Sequence, residues 1–225
     1  MCRTPLFRTP KIFCSPSILF LEILMSTALL SPWVWTDYRL AVLFLVIVPL
    51  LLLLWAFVSQ VEAIQRILII YWRVSSLLAV TVLLMIAAIP ISFLSGWLAR
   101  VLIPLSLWFW VDLNEDILDM AVWRPLKVVF NAWRWLVTVY CSLGVLFSLY
   151  FVRCSWLTKA DILTEDSLCR VWLNPPWGFR DYFLSHYTPG FIGFIGIVGL
   201  LAYTACFGYY VIFRLTTEGR SATGN

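Results

Sequence analysis

Charge is what this sequence has least of. Only 12% of its 225 residues are Asp, Glu, Lys or Arg, where an ordinary soluble domain has roughly a quarter. Hydrophobic residues make up 62% and the mean hydropathy is +0.92. Too few polar side chains remain to cover a water-facing globule, which excludes a disordered chain, argues against a soluble domain and implies that part of the solvent is lipid. Histidine is nearly absent as well, His186 being the single one. Six cysteines (Cys2, Cys14, Cys141, Cys154, Cys169 and Cys206) form no CxxC and no Cys/His pair, which sets aside zinc and iron–sulfur sites. There is no run of Lys or Arg. The net charge of +4 is ordinary flanking charge of membrane helices, and no nucleic-acid partner is expected. A nucleophile–base constellation and a phosphate-binding loop are also lacking, which points away from an enzyme.

What the chain has instead is apolar length. A helix needs about 20 apolar residues to cross a hydrocarbon core about 30 Å thick. Leu40 to Val58, Val74 to Leu94, Trp135 to Val152 and Phe191 to Phe213 qualify. Gly96 to Val111 is as apolar but shorter, about 24 Å as a helix, and it carries Arg100 and Pro104. It reads as a fifth span or as a re-entrant segment. Trp97 at one end and Trp108 with Trp110 at the other favour the span, because tryptophan collects at the membrane–water boundaries. The expected fold is all-α, a polytopic helical membrane protein with about five membrane segments, four spans plus a re-entrant piece being the alternative. Residues 32–214 form its single membrane domain, residues 1–31 an N-terminal tail and residues 215–225 a polar C-terminal tail. Pro16 and Glu22 interrupt the apolar stretch that a secretory signal needs, so Met25 is the expected start and residues 1–24 are expected to make no fixed tertiary contacts. Omitting those residues, Lys and Arg divide six to seven between the two faces, and the positive-inside rule decides no orientation. Pro49, Pro90 and Pro104 are tolerated where neighbours satisfy the carbonyls they free.

Asp112, Glu115, Asp116 and Asp119 recur at i, i+3, i+4 and i+7, which places four carboxylates within a 100° arc of one helix. Lys127, Asn131, Arg134 and Thr138 form a second stripe just beyond Pro125, where the first helix ends. A fold-back at Arg124-Pro125 brings the stripes together as a charge-matched corner. The functional alternative is a divalent cation site on Asp112, Glu115, Asp116 and Asp119. Asn114-Glu115-Asp116 with Asp119 and Arg124-Pro125 resembles the Asp-rich motif of intramembrane prenyltransferases. It departs from that motif at Glu115, and the second such motif of that family is lacking here. Glu62, Arg66 and Arg73 share a face of a helix that runs from about Gln60 into the second span.

The last span has small residues at every third position, Gly193, Gly196 and Gly199 among them. This period drifts by 60° per step on an α-helix, so the result is a spiral groove for packing within the chain, on another subunit, or on a flat pigment or lipid. The preceding loop, with Trp172, Pro175-Pro176-Trp177-Gly178-Phe179, Tyr182 and Phe183, is too aromatic for a free linker. It lies in the interface or covers a partner. Cys154 and Cys169 form a disulfide if that face is oxidising and stay free thiols otherwise. His186 is a candidate ligand to a porphyrin or chlorophyll magnesium, against the commoner case of a hydrogen-bonded interfacial histidine. No cofactor is otherwise implied.

The strings Ile69-Ile70-Tyr71-Trp72-Arg73, Pro90-Ile91-Ser92-Phe93-Leu94, Trp108-Phe109-Trp110-Val111-Asp112-Leu113-Asn114-Glu115 and Trp172-Leu173-Asn174-Pro175-Pro176-Trp177-Gly178-Phe179-Arg180 resemble those of an uncharacterised multi-pass membrane family of cyanobacteria. The resemblance covers residues 32–221. It implies a setting, the thylakoid or plasma membrane of a phototroph, and carries no catalytic motif. The leading functional reading is a non-enzymatic accessory or assembly protein of a larger, photosynthetic membrane complex. Its partner contacts would be Trp172, Trp177, Phe179, Tyr182, Gly193, Gly196 and Gly199, with membrane lipid around the rest. A small transporter or channel with a polar path through Arg100, Lys127, Asn131 and Arg134 is the first alternative. A metal-dependent enzyme built on the acidic stripe is the second.

Overall fold

The structure, a computed structural model, describes residues 27–120, 124–163, 168–210 and 212. Residues 1–26 and 215–225 lie outside them, and with them the expected start at Met25 and the polar C-terminal tail. The described residues are helical with no strand, and five helices are long and apolar enough to cross a membrane.

The first of these is built from α1 (Thr27–Val42), a π turn (Leu43–Ile47) and α2 (Val48–Val58). It starts earlier than apolar length alone suggests, so residues 27–31 are helical and Asp37 lies inside the candidate span Leu30–Val58. The π turn stands just before Pro49, which has no N–H to give the carbonyls four and five residues back, Leu45 and Phe44. The Tyr71 hydroxyl donates to Leu45 O at 2.6 Å and the Trp133 indole N–H to Phe44 O at 2.9 Å.

Helices α3 (Glu62–Ile86) and α4 (Ile91–Trp108) follow through two turns of the same design. In the first, Gln60 takes φ 52°, its N–H bonds Phe57 O, and Val61 N–H reaches back to Ala56 O. In the second, Ala88 takes φ 53°, its N–H bonds Met85 O, and Ile89 N–H reaches Leu84 O. Both are Schellman turns with a non-glycine residue in the left-handed position. The second one corrects the sequence reading: Val74 to Leu94 is not one span, since the helix stops at Ile86 and a new one opens after Pro90. The short apolar piece thereby gains a first turn and a half and becomes an unbroken 18-residue helix. A re-entrant segment is set aside.

The short α5 (Val111–Asp119) leads to α6 (Pro125–Ser148), which is prolonged by a 3₁₀ stretch (Leu149–Trp156). Three short helices, α7 (Lys159–Leu163), α8 (Leu168–Val171) and α9 (Asn174–Phe183), precede the last long one, α10 (Pro189–Tyr209). Helix α3 is the hub, packing on α2, α4, α5, α9 and α10. Its seam with α4 is lined by small residues, with a buried hydrogen bond of 2.9 Å between the Thr81 and Ser95 hydroxyls. Gly96 lies so close that an added Cβ would stand 3.2 Å from the Thr81 methyl.

The long helices alternate in direction and so define two faces. The first carries the start of α1, the α3–α4 turn and α7 to α9. The second carries the α2–α3 turn and α5. One core fills the half toward the second face, around Tyr71, Leu107, Ile117, Phe130 and Trp133. The other lies toward the first face, around Leu30, Val34, Phe151, Trp172 and Leu173.

Candidate functional site

An arginine at the middle of an 18-residue apolar helix cannot reach water along its own stem, and Arg100 is in that position. It pairs with Asp37 of α1 through Nη2 and Oδ2, and its other terminal nitrogen donates to Gly144 O of α6 at 3.4 Å. Gly144 allows this close approach, since an added Cβ would stand 3.2 Å from the guanidinium and its stem. The Tyr140 hydroxyl donates to Asp37 Oδ1 at 2.7 Å and lies 3.0 Å from Asp37 O. The ring of Trp172 stands 5.7 Å from the guanidinium carbon. Side-chain exposures of 12% for Arg100 and 22% for Asp37 make this a partly buried pair. Its two charges cancel, and each is held by further polar contacts, the condition under which ions are tolerated in an apolar interior.

The indole of Trp172 carries this cluster into the first-face cap. Trp172 packs on Phe151 with ring centroids 5.2 Å apart, and the Cys154–Cys169 disulfide, Cα–Cα 6.1 Å, ties the 3₁₀ stretch to α8. Helix α9 starts with Pro175 and Pro176, whose fixed φ suits a first turn. It is clamped from two sides. The Trp177 indole N–H donates to Ile86 O at 3.2 Å, and Gly178 sits where an added Cβ would come 2.8 Å from the Trp35 ring. Its other side is uncovered: Phe179 and Phe183 pair at 4.9 Å, with Tyr182 exposed by 88% and Phe183 by 73%. His186 is exposed beyond the end of α9.

At the second face the two polar stripes do meet, though not as carboxylates against cations at the contacts that hold the corner. Lys127 Nζ donates to Leu118 O at 2.8 Å and to Met120 O at 2.6 Å, capping the end of α5. Arg134 donates to Asn114 Oδ1 at 2.8 Å, and its guanidinium carbon stands 3.5 Å from the Trp108 ring centroid. Trp108 in turn donates to Thr138 Oγ1 at 2.9 Å. Leu113 and Ile117 form the buried side of α5, while Glu115, Asp116 and Asp119 are exposed and Asp112 is half-buried.

The candidate residues divide accordingly. Among the described residues no three His, Cys, Asp or Glu come together to hold a metal. Asp112, Glu115, Asp116 and Asp119 fan over one face of α5, three of them exposed and Asp112 half-buried. Arg100 belongs to the first cluster, and Lys127 and Arg134 to the second. Gly144 and Arg134 are ten residues, or about 15 Å, apart along α6. Asn131 is half-buried beside the second cluster. Arg100 therefore lies in a different cluster from Lys127 and Arg134. Gly193, Gly196 and Gly199 face α3, where added Cβ atoms would come 2.5 Å from Ala87, 3.0 Å from Leu84 and 3.2 Å from Val80. They make close contacts within the chain. Trp172 and Trp177 are likewise engaged internally, which leaves Phe179 and Tyr182 of the expected contact set at the surface, with Phe183 beside them.

Apolar length alone begins the first span at Leu40 and leaves Asp37 outside it, and nothing in the local sequence singles out Tyr140. For Asp37 a signal was present: it is the sole acidic residue between Glu22 and Glu62, and Arg100 needed a counter-charge. The family model described as "Protein of unknown function (DUF3177)" matches residues 31–223. No curated protein and no solved structure matches the chain.

Proposed function

The chain belongs to the DUF3177 family, whose description assigns no function, and from the geometry we propose that it is a non-enzymatic integral membrane protein that docks onto a larger membrane complex as an accessory or assembly subunit. One observation carries this reading. Helix α9 is fixed on its inner side by Trp177, Gly178 and the disulfide-tied cap, and presents Phe179, Tyr182 and Phe183 outward. An aromatic edge on a clamped helix has its backbone entropy already removed, which favours it as a binding surface. An exposed apolar edge on an ordered element needs a cover, either the membrane boundary or a partner.

The cysteine pair gives this edge a side. Disulfides persist in oxidising compartments, so the first face is the extracytoplasmic one and α5 lies on the cytoplasmic side. The resemblance to cyanobacterial membrane proteins makes a photosynthetic membrane the first place to look for the complex. Mild extraction of a tagged chain, followed by native separation and identification of bound subunits and pigment, tests the reading. Defined partners lost with the α9 aromatics support it, and a partner-free chain opposes it.

A further inference from the structure

Between α3 and α10, toward the second face, lies a half-open cleft of about 610 Å³, within the size range of ligand sites. It is separate from the Asp37–Arg100 cluster and from α9. Its polar end is formed by Arg66, Arg73 and Ser76, its apolar end by Val80 and Ala202, and Tyr203 stands on its wall. Arg66 and Arg73 are seven residues apart, about 10 Å along one face of α3. Side chains on a helix lean toward its N terminus, so both guanidiniums lean toward the second face and away from the apolar end.

Among the described residues the charges there do not balance. Arg66 shares Glu62 at 3.4 Å, whereas Arg73 has no carboxylate partner among the described residues. The Tyr203 hydroxyl is buried and lacks a hydrogen-bond partner among them as well. A cleft in the membrane region that is cationic at its boundary end and hydrocarbon-like at its deeper end matches an amphiphile of the opposite polarity. We propose that this cleft binds one anionic phospholipid, its phosphate at Arg73 and Arg66 and an acyl chain laid along Val80 and Ala202. Both arginines are exposed and Arg66 pairs with its i,i+4 neighbour Glu62, so replacing them is expected to leave the packed core intact.

The test is native mass spectrometry of the full chain in detergent, titrated with phosphatidylglycerol or with phosphatidylcholine of the same acyl chains. The expected result is one retained phosphatidylglycerol, with an affinity on the order of tenfold above phosphatidylcholine. In the Arg66→Gln/Arg73→Gln variant that preference disappears at an unchanged melting temperature. Ala202→Phe, which fills the apolar end, weakens both lipids. Inorganic phosphate neither binds nor displaces the lipid. Equal retention of both lipids by the native chain overturns the proposal, as does a preference that survives the double arginine variant. Saturable binding of inorganic phosphate that displaces phosphatidylglycerol would assign the cleft to a free anion. Lipid binding that arises only after deletion of residues 213–225 would assign it to the chain's own C-terminal segment.

Discussion

The Tyr71 hydroxyl donates to the carbonyl of Leu45 at 2.6 Å, across the seam between the first two long helices. Pro49 has no N–H to offer that carbonyl, so the tyrosine supplies the donor that the proline withholds. The ring itself is fully buried, and it packs edge-on to Trp133, which serves the neighbouring Phe44 carbonyl. A helix irregularity is thus used to fasten α3 and α6 to the first span.

Tyr71→Phe keeps the ring and removes this one donor. The expected loss is about 1–3 kcal/mol, the cost of leaving a buried carbonyl unsatisfied, read as a lower midpoint in reversible unfolding from detergent micelles. No change would mean that the carbonyl finds another donor.

Asp37 and Arg100 form a coupled pair. Removing either partner leaves the other charge buried, so Asp37→Asn and Arg100→Gln are each expected to destabilise by about 3–5 kcal/mol. The double variant leaves no charge stranded and loses much less than the sum. A double-mutant cycle measures this directly; additive losses would show that the two side chains do not interact.

The two Schellman turns explain what was legible in the sequence and what was not. Five apolar segments were countable from length alone, and the α5–α6 corner from the spacing of Asp112 to Asp119 and Lys127 to Thr138. The boundary between the second and third spans was hidden because its left-handed residue is Ala88, where glycine is the usual marker. The glycines of α10 were visible as a stripe, but which surface they pack against depends on where Ala87, Leu84 and Val80 fall on another helix. That is tertiary information. The Asp37–Arg100–Tyr140 contact joins positions 63 and 103 residues apart, and no local pattern encodes it.

Ala88→Gly follows from the same turn. A left-handed conformation costs an L-residue with a Cβ about 1–2 kcal/mol, so the glycine variant is expected to unfold at a higher temperature than the native chain. Gly193→Ala should act oppositely, because its Cβ would stand 2.5 Å from that of Ala87 and α10 must move away. Thermal unfolding of the two variants side by side checks both signs.

The proposed orientation, with the disulfide on the extracytoplasmic side, is one that thiol chemistry can read. In sealed vesicles of the native membrane that expose its extracytoplasmic face, a membrane-impermeant maleimide is expected to label neither Cys154 nor Cys169 until an impermeant reductant is added, and then both. Labelling that requires lysis would place the first face in the cytoplasm.

The most direct measurement compares the native chain with Tyr182→Ala/Phe183→Ala after mild detergent extraction from native membranes and native gel separation. Docking through α9 predicts that the native chain migrates with defined subunits in a larger band and that the variant, equally stable, migrates alone. A native chain that is already partner-free, or a variant that stays in the larger band, would contradict it.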